Sequence, residues 1–340
     1  MITIEENVSL KPYNTFGLEA SARYFTEISE AGQLVSLLKD PAWASVKKLF
    51  LGGGSNILLL NDFDGLVIKI AIKGIRITEE TTDYAIVQAG AGEIWHEFVL
   101  YCIEHGLSGI ENMSLIPGTV GAAPMQNIGA YGAEVKDTFH HLEALNLETL
   151  QTEVFDRKRC AFGYRESFFK HEGRNRYVIL SVCFRLSKSP EINVAYGAIR
   201  QTLSEMGVES PTIRDVSNAV IHIRRSKLPD PAQIGNSGSF FKNPEIPRAE
   251  YLKVHEKYPD IPGYEVSDDI VKVPAGWLIE QAGWKGRRFG QVGVHDKQAL
   301  VLVNFGGGKG QEIADLAARI QASVSEKFGI TITPEVNFIR

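Results

Sequence analysis

Hydrophobic and polar positions along this chain follow two rhythms. In the first half the period is mostly two. Leu66, Ile68, Ile70 and Ile72 share one face of a run whose other face is Val67, Lys69 and Ala71, which predicts a strand over 66–72. Short apolar runs predict strands over 48–51 and 57–60 around a glycine turn, and further strands over 85–88, 142–147 and 177–186. One segment breaks the pattern. Over 93–105, Ile94, Phe98, Val99, Cys102 and Ile103 recur at helical spacing, with Gly106 as the stop. The first half therefore reads as strands around one long helix.

The second half changes period. Helices are expected over 198–206, 211–225, 248–257 and 274–282, the second capped by Ser210 ahead of Pro211. Lys227-Leu228-Pro229-Asp230-Pro231 reads as a linker or loop. A strand over 300–304, a strongly amphipathic helix over 311–328 and a final strand over 330–339 complete the chain. Strands and helices mix throughout and no internal repeat is evident, so the fold class is α+β.

Composition narrows the classes. The 340 residues suggest two domains, or three small ones. Lys plus Arg number 36 against 41 Asp plus Glu, a net charge of −5, and no basic block stands out, which argues against nucleic-acid binding. A hydrophobic content of 44% with 23% charged residues excludes disordered and fibrous classes. Cys102, Cys160 and Cys183 are far apart and odd in number, which argues against a disulfide framework or zinc site. The first nine residues carry acids where a signal peptide has bases and then an apolar run. No stretch approaches ~18 apolar residues, so a cytoplasmic protein without membrane spans is expected.

The 32 glycines cluster, and clusters mark tight turns or close approach to something bound. Gly52-Gly53-Gly54-Ser55-Asn56 lies between two predicted strands. Its backbone N–H groups suit an anion, and the alternative is a wide hairpin turn. It is neither a Walker loop nor a Rossmann fingerprint, because no Lys-Ser or Lys-Thr and no long helix follows. The segment from Gly109 to Val135 is too apolar for a solvated linker and too rich in Gly and Pro for a helix. A long ordered loop of this kind normally wraps a ligand. Its Thr119, Gln126, Asn127 and Tyr131 offer uncharged hydrogen-bonding groups, which suit a heterocycle and sugar better than a metal.

Three further segments have the composition of a site. Phe162-Gly163-Tyr164-Arg165-Glu166-Ser167 sets an arginine among aromatics, where it forms either a fork to a carboxylate or phosphate, or a plain surface ion pair. In Gly235-Asn236-Ser237-Gly238-Ser239-Phe240-Phe241-Lys242-Asn243-Pro244 a serine is a turn residue or a positioned hydroxyl. Glu335, on the predicted last strand, is an edge charge facing water or a buried catalytic carboxylate. Gly306-Gly307-Gly308-Lys309-Gly310 lacks the hydroxyl residue of a phosphate loop and reads as a flexible strand-to-helix connection. The eight histidines show no paired-ligand spacing, so no metal is expected.

Taken together, these segments resemble the UDP-N-acetylenolpyruvoylglucosamine reductases, the MurB family of peptidoglycan precursor synthesis. The likeness runs from Asn14-Thr15-Phe16-Gly17 to Pro334-Glu335-Val336. It includes Gly53-Gly54-Ser55-Asn56, Ile116-Pro117-Gly118 through Tyr131-Gly132, the Tyr164-Arg165 segment, Lys227–Pro231, Gly238–Pro244 and Ala275-Gly276-Trp277-Leu278-Ile279. The surroundings of Ala195-Tyr196-Gly197 look like the longer subtype, in which a tyrosine loop folds over the substrate. Ala122 and Ala123 stand where some relatives carry hydroxyls, and Asn337 where arginine is common.

The resemblance implies a two-subdomain FAD-binding fold of the vanillyl-alcohol-oxidase type plus a C-terminal α/β substrate-binding domain. It assigns 1–72, completed by 320–340, to the first subdomain, 73–210 to the second with the tyrosine loop, and 211–319 to the substrate domain. FAD, held non-covalently, would contact Gly52, Gly53, Gly54, Ser55, Asn56, Ile116, Pro117, Gly118, Thr119, Gly121, Ala122, Gln126, Asn127, Tyr131 and Arg224. NADPH is the implied co-substrate, and UDP-N-acetylglucosamine enolpyruvate would be held by Tyr164, Tyr196, Lys227, Asn243 and Gln298 and reduced to UDP-N-acetylmuramate. A monomer is expected. The catalytic residues implied are Ser239 as proton donor, Arg165 at the substrate carboxylate, and Glu335 in protonated form, held so by burial.

Overall fold

Trp95–Glu104 is helical, and its spacing puts Trp95, Phe98, Val99, Cys102 and Ile103 on one buried face. In the computed structural model, which describes residues 2–340, that face packs on Tyr177–Ser187, the middle strand of a five-stranded antiparallel sheet. The Trp95 and Phe98 rings lie 5.7 and 5.1 Å from Phe184. The indole N–H of Trp95 donates to the Met113 carbonyl at 3.0 Å, so the buried ring leaves no polar edge unpaired. The same helix start anchors the glycine-rich loop. Trp95 N–H donates to Gly118 O at 3.0 Å, Val120 N–H to Glu93 O at 2.8 Å, and Gly121 N–H to Ala91 O at 2.9 Å.

The described chain forms two units. The first comprises 2–8, 22–53 and 64–226. Its five-stranded sheet runs in the order Thr152–Asp156, Phe139–Asn146, Tyr177–Ser187, Tyr84–Gly90, Ile75–Glu80. A second sheet of four strands sets Lys48–Leu51 parallel to Phe63–Ile70, with Lys48 opposite Leu66.

The second unit comprises 9–21, 54–63 and 227–340. Its long helix, Gly310–Phe328, buries Ile313, Leu316, Ala317, Ile320, Val324 and Phe328, a stripe at helical spacing, and packs on strands Val292–Val294 and Leu302–Asn304. Asn304 gathers the connection before this helix, accepting from Gly306 and Gly308 N–H at 3.0 Å each.

Most expected elements occur within a few residues of their predicted ends, and Arg248–Lys257 forms as predicted. Four expectations need correction. The first half holds further helices, chief among them Ala31–Lys39, only nine residues long and burying Leu34 and Leu37. The wide hairpin does not form: Lys48–Leu51 pairs with Phe63–Ile70, and Ile57–Leu59 pairs in parallel with Asn337–Ile339. The helix expected from 211 begins at Ile213, and its cap is Thr212 rather than Ser210. Thr212 Oγ1 accepts from Asp215 N–H at 3.3 Å, and Asp215 accepts from Thr212 N–H at 2.9 Å. The final strand is only Asn337–Ile339, because Pro334 has no N–H to extend it.

Candidate active site

Two glycine runs of the first unit stack backbone to backbone. A Cβ at Gly53 would lie 2.7 Å from Gly118 Cα, and one at Gly52 2.8 Å from Thr119 Oγ1. Only glycine permits that approach. Gly121 is equally tight, its Cβ position 2.5 Å from that of Ala91. The Thr119 hydroxyl is buried and makes no hydrogen bond among the described residues. A buried hydroxyl normally finds a partner, so this one is suited to a bound group.

Beyond the glycines, the loop keeps its shape through strain and a buried amide. Leu115, Asn127, Tyr131 and Arg165 all adopt left-handed φ, at 59°, 44°, 50° and 56°. Such conformations cost a non-glycine residue about 1–3 kcal/mol and concentrate at functional sites. Asn127 is fully buried. Its amide donates to Glu134 Oε2 at 3.1 Å and to Gly163 O at 3.0 Å, and its oxygen accepts from Lys136 N–H at 2.9 Å. Asn127 thus joins the loop to the segment carrying Tyr164 and Arg165. Arg165 Nη2 donates to Gly129 O at 2.8 Å, and Lys170 Nζ to Arg165 O at 2.9 Å. The half-buried Arg165 is held by the loop on one side and its own backbone on the other.

Arg224 projects from helix Ile213–Lys227 to the same loop, where its Nε donates to Leu115 O at 3.2 Å. The protein packed around it pushes its pKa down. The nearby Tyr131 works against that, and the charge of Arg165 adds to it. No carboxylate pairs with Arg224 among the described residues. A half-buried cation of this kind suits an anionic ligand.

His96, on the same side of the loop, accepts from Leu115 N–H at 3.0 Å through Nδ1. Burial lowers its pKa first, and the positive charges of Arg225 and Arg224 lower it further, with Glu97 opposing. A histidine depressed in the folded state binds fewer protons there than in the unfolded chain. Its stabilising share is therefore whole above its ordinary value of 6.5 and is lost as pH falls below it. Melting curves should show this directly. His96→Gln, which still accepts from Leu115 but does not titrate, should lose less melting temperature than the parent between pH 7 and 5. Parallel losses would refute the assignment.

The second unit brings Ser239 and Glu335 onto one backbone ladder. Glu335 N–H donates to Phe240 O at 2.8 Å, and Lys242 N–H to Thr333 O at 3.1 Å. On its other side Phe240 N–H donates to Leu300 O at 2.8 Å. The fully buried rings of Phe240 and Phe241 pin the segment. Ser239 itself is exposed, whereas Ser237 is buried and its hydroxyl finds no partner among the described residues. Glu335 is half-buried and precedes the strand, so neither an edge-strand charge nor a deeply buried carboxylate describes it. Asn56 Nδ2 donates to Glu335 O at 3.2 Å, and Asn337 returns to Asn56 O through its amide and side chain at 3.0 and 3.1 Å.

Asn243 and Gln298 meet at the start of helix Ala275–Gln281. Asn243 Oδ1 accepts from Ala275 N–H at 2.9 Å, and Gln298 Oε1 lies 3.1 Å from where a Gly276 Cβ would stand. Lys227 is exposed at the end of its helix, and Tyr196 is 51% exposed.

Sequence reasoning missed three supports. Asn236 is buried, donates to Pro229 O and Ile234 O at 3.1 and 2.8 Å, and accepts from Gly238 N–H at 2.9 Å, thereby shaping the serine loop. Asn112 and His96 support the first unit's loop. An asparagine beside glycines was the available signal for Asn236. For the other two nothing local distinguished them.

A buried hydroxyl without a partner among the described residues, set in a glycine cradle, suits a dinucleotide, and the fold is of the FAD-binding flavoprotein class. A family model described as FAD binding domain matches residues 22–153. A second, described as UDP-N-acetylenolpyruvoylglucosamine reductase, C-terminal domain, matches residues 230–339. The chain is 52% identical over 337 residues to the UDP-N-acetylenolpyruvoylglucosamine reductase of Flavobacterium johnsoniae, covering 99% of each. It is 50% identical over 337 residues to that of Amoebophilus asiaticus, again covering 99% of each. The crystal structure of UDP-N-acetylenolpyruvylglucosamine reductase (MurB) from Thermus caldophilus shares the fold, with a TM-score of 0.71 over 100% of both chains at 22% identity. The chain belongs to the UDP-N-acetylenolpyruvoylglucosamine reductase family. The α+β expectation holds, and the cradle residues present fit FAD.

Proposed function

We infer that this chain is the FAD-dependent reductase that uses NADPH to convert UDP-N-acetylglucosamine enolpyruvate into UDP-N-acetylmuramate, in peptidoglycan precursor synthesis. The observation that supports the reading is the backbone ladder in which Glu335 N–H donates to Phe240 O, the residue after exposed Ser239. When bound, FAD supplies hydride transfer from NADPH to the enol ether. The glycine cradle, Thr119, Gln126, Asn127 and Arg224 would hold it.

Negative charge develops on the substrate's carboxylate as the enol ether is reduced, and the adjacent carbon then needs a proton. Arg165, fixed by Gly129, is assigned to that carboxylate. Ser239 is assigned to donate the proton. Its hydroxyl is a weak acid, so its competence comes from fixed placement against a basic carbon. Glu335 is assigned, in protonated form, to donate a hydrogen bond to the developing enolate, since an ionised carboxylate would repel it. Tyr164, Tyr196, Lys227, Asn243 and Gln298 are assigned to the nucleotide sugar, with Tyr196 on a covering loop of the longer subtype.

In this reading 1–72 with 320–340 and 73–210 serve the flavin, and 211–319 the substrate. The enzyme acts as a cytoplasmic monomer. The anaerobic visible spectrum tests the whole: the purified protein should be yellow, release FAD on denaturation, bleach with NADPH and recover colour with the enolpyruvyl nucleotide. A colourless protein, FMN in the filtrate, or flavin left on the polypeptide would overturn it.

A further inference from the structure

Both backbone polar groups of Leu115 are taken by side chains from other elements. Its N–H donates to His96 Nδ1 at 3.0 Å, and its carbonyl accepts from Arg224 Nε at 3.2 Å. His96 stands in the first turn of helix Trp95–Glu104 and Arg224 on helix Ile213–Lys227, so this one residue joins two helices. Its φ of 59° is one that a leucine keeps only where its surroundings over-determine it. The residues that follow, 116–119, open the glycine-rich loop, and they are tied to the same helix start. Trp95 N–H donates to Gly118 O at 3.0 Å, and Ile94 forms an antiparallel bridge with Thr119. His96 extends that row of contacts with a group that titrates near neutral pH. A backbone N–H only donates, so Nδ1 must offer a lone pair and the imidazole must be neutral, with its proton on Nε2. An imidazolium carries a proton on both nitrogens and cannot accept. Burial favours the neutral ring, as do Arg225 and Arg224 from the facing helix, while Glu97 on its own helix opposes.

We propose that neutral His96 is a positioning residue of the flavin site: by holding the Leu115 N–H it keeps the Leu115 carbonyl on Arg224, and so keeps the guanidinium and the glycine-rich loop set for FAD. Protonating the ring, or removing its acceptor, frees the Leu115 peptide, and FAD then leaves more readily. The proposal rests on the reading that this loop and Arg224 hold FAD. Its sign follows from linkage. FAD favours the form without the proton, so retention is full above pH 6.5 and falls as pH drops through the folded-state value, which lies below 6.5.

The test follows FAD release from the holoenzyme by flavin fluorescence after dilution, between pH 8 and 5, with far-UV circular dichroism confirming the fold at each pH. His96→Ala removes the acceptor and should release FAD about 3- to 10-fold faster at pH 8, the effect of one hydrogen bond. Hydrogen exchange read by mass spectrometry should also quicken in its peptide covering Leu115. His96→Asn places an oxygen near the Nδ1 position and does not titrate in this range. It should restore most of the retention and the protection, and its release rate should stay flat below pH 6.5. The parent should match the Asn variant at pH 8 and rise toward the Ala rate as pH falls to 5. Parent-like release by His96→Ala, an Asn variant as leaky as Ala, or a parallel rise of parent and Asn variant on acidification would each overturn the proposal. Should His96→Ala not fold, the comparison of parent with Asn variant decides alone. Parent turnover and flavin content are measured first: a chain without FAD or reductase activity refutes the functional reading, whereas an active parent with any of those three results refutes only the role of His96.

Discussion

Ser239→Ala should leave reduction of the bound flavin by NADPH nearly intact while slowing reoxidation by the enolpyruvyl nucleotide by about 10²–10⁴-fold. The asymmetry follows from proton accounting. Transfer from NADPH to FAD leaves no basic carbon on a substrate, so it needs no donor. Reduction of the enol ether does. The residue is exposed, at a bend that Gly238 makes with a φ of 70°, and is anchored through Phe240 to Leu300 on one side and Glu335 on the other. Removing its hydroxyl should therefore disturb little else. Ser239→Cys, with a more acidic group of similar shape, should recover part of the rate. Stopped-flow measurement of each half-reaction decides the matter. Equal slowing of both would make Ser239 structural, and the buried Ser237 would be tested next.

Gly53→Ala should weaken FAD binding by about 10- to 100-fold, the effect of an overpacked contact of about 1–3 kcal/mol. The added carbon would meet Gly118 Cα at 2.7 Å. Backbone cannot swing aside as a side-chain tip can, so the two glycine runs must part and carry Thr119 with them. Gly32→Ala is the control, because nothing stands within 4 Å of its Cβ position, which lies in helix Ala31–Lys39. That change should leave flavin binding untouched and slightly stabilise the helix. Isothermal titration of the apoprotein with FAD reads both. Parent-like affinity in Gly53→Ala would mean that the runs can separate at no cost.

Family likeness made the parts of the site legible before their arrangement was. Residue chemistry alone left Arg165 undecided between a fork and a surface pair, and left Ser237 and Ser239 equivalent. Motif matching chose Ser239. The structure then added a physical difference between them: Ser237 is buried, with no hydroxyl partner among the described residues, and Ser239 is exposed. Composition could not have shown this, because the two serines share the same glycine-rich surroundings, and only the bend at Gly238 distinguishes their environments.

By itself the sequence determined the elements whose periodicity is strong. Trp95–Glu104 and Gly310–Phe328 carry full apolar stripes, and the Tyr177–Ser187 run is too apolar to be anything but a central strand. It determined too where the backbone must approach closely, since glycine clusters have no other economical use. Pairing between distant segments was left to the tertiary structure. Lys48–Leu51 pairs with a strand beyond its neighbour, and Ile57–Leu59 pairs with the chain's last strand some 280 residues on. No local pattern encodes a partner at that separation. The same holds for Glu335, whose surroundings depend on Phe240 and Asn56, and for Arg224, which bonds the Leu115 carbonyl more than a hundred residues back. Local propensity chooses the element, but burial and hydrogen-bond satisfaction across the whole fold choose its neighbours.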